Sequence, residues 1–198
     1  VGSSEWNSLV VDVKERDSDV IWCKDSEIKV TNPSFASSTE PIQSAQNNSN
    51  QNCYFSDDSG FIFAPAPYFS NSVFIELVGL LANQPISQMP LSGQSYSIVT
   101  HLAKNLTKIF DQTDNGKYRL IKVNIIDQNN YEGLIADTSI NSDWKIFFNN
   151  NYSAEELTSN LYTILNSEPF KKEFAVNRGN LASIDLRYGK KVFYKFKN

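Results

Sequence analysis

Punctuation governs what this chain can fold into. Its apolar runs are short, and Asp, Asn, Gly or Pro closes nearly every one; only two stretches carry apolar residues at helical spacing. Short β-branched and aromatic runs between turn clusters read as strands, because such side chains pack well on a pleated surface and are crowded in a helix. A chain written this way builds a sheet and adds helices to it.

The runs fall in a definite order. Ser8–Glu15 and Val20–Cys23 are predicted strands separated by Asp17-Ser18-Asp19. Cys53–Phe55 and Phe61–Phe63 flank Asp57-Asp58-Ser59-Gly60, a turn with Gly available for positive φ. Ala64-Pro65-Ala66-Pro67 is expected to end pairing on that side, and Val73–Val78 is a further strand. Ile98, Leu102, Leu106, Ile109 and Phe110 share one helical face, with Ser95 or Ser97 as the expected N-cap and Asp114-Asn115-Gly116 as the stop. Arg119–Ile126, Tyr131–Ala136 and Trp144–Phe148 are strands again. Ser153-Ala154-Glu155-Glu156 is a capping box that opens a second helix with Leu157, Leu161, Ile164 and Leu165 as its buried stripe. Pro169 stops or kinks that helix before Phe170–Phe174, and Ile184–Tyr188, Gly189-Lys190 and Val192–Phe196 form a closing hairpin.

The expected fold is therefore α+β, in one domain spanning residues 1–198: a largely antiparallel sheet with two amphipathic helices packed on one face and a C-terminal β-hairpin. One stretch stands apart. Residues 31–51 are mostly Ser, Thr, Asn and Gln, with Phe35 and Ile42 the only large apolar side chains. So little apolar surface cannot offset the entropy of ordering it, and the stretch is expected to be a flexible insertion.

Charge and composition remove several functions. A net charge of −4 and a pI near 5.1 argue against nucleic acid, whose phosphates require a basic stripe. No run approaches the roughly 20 apolar residues that cross a bilayer. Cys23 and Cys53 are the only cysteines and His101 the only histidine, too few for a zinc site; one disulfide or two buried thiols both remain open. His101 sits inside the first helix with no nucleophile or carboxylate at a recognisable spacing, so a half-buried or surface helix residue explains it. Turn chemistry explains Asp57-Asp58 and the helix dipole explains Glu155-Glu156. No catalytic residue, metal or cofactor is expected. What remains is the final strand, which mixes aromatics with Lys191, Lys195 and Lys197 and is placed to be a sheet edge, either guarded by its lysines or open to another chain. A different class, a secreted carbohydrate- or surface-binding module, would use Trp6, Trp144 and Tyr152 as stacking platforms. A hydrolase would need a partner for His101.

Three stretches, in order, resemble the extracytoplasmic β domain of the FtsQ/DivIB family of bacterial division proteins. Ser8-Leu-Val-Val-Asp-Val-Lys-Glu-Arg16 followed by Ile21-Trp22 resembles the family's entry into that domain. Tyr54-Phe55-Ser-Asp-Asp-Ser-Gly60-Phe61-Ile-Phe63 is similar to its aromatic-acidic-Gly hairpin. Ile184-Asp185-Leu186-Arg187-Tyr188, a turn and a last strand resemble its closing hairpin. The resemblance covers nearly the whole chain. Two features depart from it: Asp17-Ser18-Asp19 replaces the usual Pro after Glu-Arg, and the connection between Lys24 and Asn52 is longer than the common hairpin.

The resemblance implies a non-enzymatic scaffold of the septal division complex, in the cell membrane by a single pass with this domain on the extracytoplasmic side. It implies a cytoplasmic tail, a membrane helix and a POTRA domain upstream of Val1. It implies FtsB/DivIC- and FtsL-type partners, with a partner strand added to the C-terminal edge at Arg187, Tyr188, Val192, Phe193, Tyr194, Lys195 and Phe196. Alternation lets only one of Phe193 and Tyr194 share the surface of Tyr188. With this placement Cys23 and Cys53 end two strands expected to pair, and an extracytoplasmic compartment would let them form a disulfide.

Overall fold

A computed structural model describes residues 16, 18, 20–24, 53–67, 69, 74–114, 117–140 and 142–197. In chain order the elements are β1 (Val20–Cys23), β2 (Cys53–Ser56), β3 (Ile62–Ala66), β4 (Ile75–Val78), α1 (Gly93–Asp114), β5 (Tyr118–Ile125), β6 (Asn130–Asp137), β7 (Ser142–Asn149), α2 (Ala154–Asn166), α3 (Phe170–Asn177), β8 (Leu181–Tyr188) and β9 (Lys191–Phe196). The nine strands form one sheet in the order β3-β2-β1-β4-β5-β6-β7-β8-β9. The predicted strand at Ser8–Glu15 and the predicted insertion at 31–51 lie outside the described residues.

The sheet is mixed, which corrects the largely antiparallel expectation. β1 with β4, β4 with β5 and β7 with β8 run parallel, whereas the other five neighbouring pairs are antiparallel. The connections explain it. α1 joins β4 to β5, and α2 with α3 joins β7 to β8; a helix laid back across a sheet carries the chain to the end where the preceding strand began, so the flanking strands point the same way. β1 and β4 are parallel because the β2–β3 hairpin lies between them in sequence and outside β1 in space.

One apolar core joins the helices to one face of the sheet. Trp22 and Leu77 from the first strands, Tyr131 and Ile146 from the middle and Ile184 and Leu186 from β8 meet Leu102 and Leu106 of α1, Leu157 and Leu161 of α2 and Phe170 of α3. In β7 the alternation is plain: Trp144, Ile146 and Phe148 are buried, while Lys145 and Phe147 face away. Truncating a fully buried leucine such as Leu157 to Ala should cost about 2–5 kcal/mol, the transfer term plus the cavity.

Helix ends follow their chemistry. Ser153 accepts the Glu156 amide at 3.2 Å while Glu156 takes the Ser153 amide at 3.0 Å, a complete capping box. α1 starts two residues before the expected Ser95, and Ser92 Oγ accepts the Ser95 amide at 3.2 Å. Ser95 is instead buried, its hydroxyl aimed at the Gln128 carbonyl at 3.3 Å. Among the described residues three α-helices stand where two were expected, because Pro169 separates α2 from α3 outright. β3 runs through Pro65, which was expected to end it; among the described residues β3 is the edge of the sheet, a setting where a strand tolerates a residue with no amide hydrogen.

A smaller cluster covers the opposite face at one end only. Ile21, Cys23, Cys53 and Val78 pack with Phe55, Phe69 and Phe74. Cys23 stands opposite Cys53 in the β1–β2 register, and a disulfide of 2.04 Å joins them across a sequence separation of 30. Over β6 to β9 the same face has no buried apolar cluster among the described residues.

Candidate partner-binding edge

Among the described residues β9 is the last strand of the sheet and pairs only with β8. Its alternation sorts the predicted partner residues into two rows. Val192, Tyr194 and Phe196 are half-buried on the helix side, where Phe170 meets Tyr194 edge-on at 4.8 Å and stacks with Phe196 at 6.3 Å. Partial burial, then the hydrogen bond and charge of Glu173, raise the Tyr194 phenol above its ordinary pKa. Lys191, Phe193 and Lys195 project from the other face and are exposed.

The register shift between Asp185 and Tyr188 brings Tyr188 opposite Lys191 and against Phe193, whose ring it meets edge-on at 5.2 Å. Tyr188 is 56% exposed and Phe193 54%. Arg187 completes the group. Its guanidinium lies over the Phe147 ring at 5.2 Å and toward Tyr188 at 5.9 Å, and it donates to Asp185 through Nε at 2.9 Å and Nη2 at 2.5 Å. That bidentate bond to Asp185 holds Arg187 more firmly protonated than usual.

Of the seven predicted residues, the structure thus brings Arg187, Tyr188 and Phe193 together and sets Lys195 beside them, while Val192, Tyr194 and Phe196 serve the opposite row. Phe147 and Asp185 belong to the exposed group and were missed by sequence reasoning. Both were findable: Asp185 stands two residues before Arg187 on the same face, and Phe147 is the outward member of the Trp144–Phe148 alternation.

The hairpin is clamped from behind. Asn160 of α2 donates to the Gly189 carbonyl at 2.9 Å, and Asn149 donates to the Arg187 carbonyl at 3.4 Å. Gly189 has φ +64, the left-handed region that favours glycine, and a Cβ there would sit in tight contact, 3.0 Å, with the Tyr152 hydroxyl. At the other end of β8, Arg178 leads into the strand and donates to the buried Asp137 through Nε at 2.5 Å and Nη2 at 2.8 Å. Burial raises the Asp137 pKa, but the bonds from Arg178, the Ser139 hydroxyl and the Ser139 amide outweigh it and leave the carboxyl below its ordinary value of 3.8.

The other candidate residues sit elsewhere. His101 is exposed on α1 beside a cavity of about 260 Å³ that Asp57, Asp58 and Lys104 also line. Asp57 is committed to its turn by Ser59, the Phe61 amide and Arg16. Among the described residues no hydrogen bond joins His101 to a carboxylate or hydroxyl, and no group of three His, Cys, Asp or Glu could hold a metal. Trp144 is 3% exposed and packed edge-on against Phe110 at 6.1 Å, so it cannot be a stacking platform; Tyr152 lies half-buried beneath Gly189, and Trp6 is outside the described residues. A cavity of about 470 Å³ opens between α1, α2 and α3, lined by Phe110, Tyr118, Trp144 and Phe174 among others, and includes no residue of β9.

No protein-family model, curated protein or solved structure matches the chain.

Proposed function

We propose that the protein is a non-enzymatic scaffold that binds a partner by strand addition along β9, in the manner of the FtsQ/DivIB family that its sequence resembles. The partner is of the FtsB/DivIC type, with an FtsL-type protein alongside, and the setting is the division septum on the extracytoplasmic side of the membrane. One observation carries the reading. Among the described residues β9 is a terminal strand paired on one side only, and an exposed aromatic pair, Tyr188 with Phe193, stands directly beside it. Open backbone groups supply affinity in this mode of recognition, and neighbouring side chains supply choice. No helix among the described residues is long and apolar enough to cross a membrane, so anchoring falls to a segment outside them.

Tyr188→Ala tests the site. The exposed ring contributes little to the core, so the variant should unfold like wild type yet bind an FtsB/DivIC-type peptide at least about tenfold more weakly, as a truncated aromatic anchor does. Unchanged affinity by calorimetry would place the partner surface elsewhere.

A further inference from the structure

Charge is unevenly dealt along the chain. Residues 171–197 carry eight Lys or Arg against two acids, Glu173 and Asp185, which leaves ten against twenty in the rest of the sequence. The two arginines of this stretch are satisfied internally, Arg178 by Asp137 and Arg187 by Asp185. Lys191 and Lys195 are not. They flank Phe193 on the exposed side of β9, and no acidic side chain among the described residues pairs with either. Across the strand, Val192, Tyr194 and Phe196 form an apolar row that continues the core to the very edge of the sheet.

From these two rows we infer the sequence pattern of the strand that β9 receives: an acidic–apolar alternation about six residues long. The inference rests on the strand-addition reading and specifies what that reading leaves open. Side chains of an added strand alternate between the faces with period two. Asp or Glu on one face then stands beside Lys191 and Lys195, where opposite charges on neighbouring strands attract and like charges repel. β-Branched or aromatic residues on the other face stand beside Val192, Tyr194 and Phe196 and extend the apolar row. A slip by one residue would set carboxylates against that row, at the cost of desolvating a charge, so the same pattern also fixes the register.

Three peptides decide the matter: one alternating Glu with Val and Ile, one with Lys and one with Gln at the Glu positions. Each is titrated onto the chain while amide exchange is followed in β9. The Glu peptide should bind about tenfold more tightly than the Lys peptide, with Gln between them, and the gap should narrow as salt screens the exposed charges. The double variant Lys191→Glu/Lys195→Glu should invert the order; Lys191→Gln/Lys195→Gln, the milder change, should erase it. Glu and Lys peptides that protect β9 equally would overturn the charge rule and leave strand addition standing. Failure of all three to protect any β9 amide would overturn strand addition, and the pattern with it.

Discussion

The two ends of the sheet are finished by different means. β3 closes one end with Ile62-Phe63-Ala64-Pro65-Ala66, followed by Pro67, and Arg16 lies over the Phe61 and Phe63 rings at 4.7 and 5.9 Å. β9 closes the other end with Lys-Val-Phe-Tyr-Lys-Phe and has no proline. A proline removes a donor from the edge, and no incoming strand can restore it. A lysine leaves the donor in place and opposes only a partner of the wrong charge. On the strand-addition proposal above, β9 is therefore the edge that would discriminate between partners.

The largest way to stress this contrast is to weaken one end and watch the other. Replacing both cysteines, Cys23→Ser with Cys53→Ser, releases a closed loop spanning a sequence separation of 30 and should lower stability by about 3–4 kcal/mol in the chain-entropy model. Urea unfolding would register the loss, while peptide affinity at β9 should hold under folding conditions. A matching loss of affinity would show that the two ends are coupled.

The next is to give β9 the guard that β3 has. Successive amides of a strand point to opposite sides in the plane of the sheet, so Phe193→Pro and Tyr194→Pro remove one amide that faces β8 and one that faces out. The outward variant should keep its circular dichroism and lose about a hundredfold in peptide binding, whereas the inward one should also lose stability. Two proline variants that both bind like wild type would refute the edge.

The smallest effect is set by pH. The Asp137 pKa lies below 3.8 in the folded chain, so the carboxylate contributes stability that is fully present above the unfolded value near 3.9 and is lost as pH falls through the lower, folded one. As pH falls below about 4 the wild type should lose stability more steeply than Asp137→Asn. Equal slopes would mean that Arg178 does not tie the start of β8 to the sheet.

Much of this was legible in the sequence because it is local. Ser153 and Glu156 cap one another within four residues, and period-two patterns placed β5, β6, β7 and β9 to within two residues, while β8 begins three residues before the predicted Ile184. Relations between distant segments were not. Parallel pairing of β7 with β8 follows from where α2 and α3 return the chain, a matter of packing that no single run encodes. Pro65 stops a central strand but not an edge one, and its place at the edge is a property of the whole sheet. Trp144 reads as a candidate platform until α1 is laid over it. At the candidate site, the residues of β8 and β9 were readable from the hairpin, but Phe147 enters from a third strand, and only the β7–β8 register sets it beneath Arg187.

The strand order carries one more consequence, for reach. Eight steps separate β3 from β9, and at about 4.8 Å per step the path along the sheet is roughly 38 Å. The Cys23–Cys53 link, carried by β1 and β2, stands six to seven of those steps from β9, roughly 29–34 Å along the sheet.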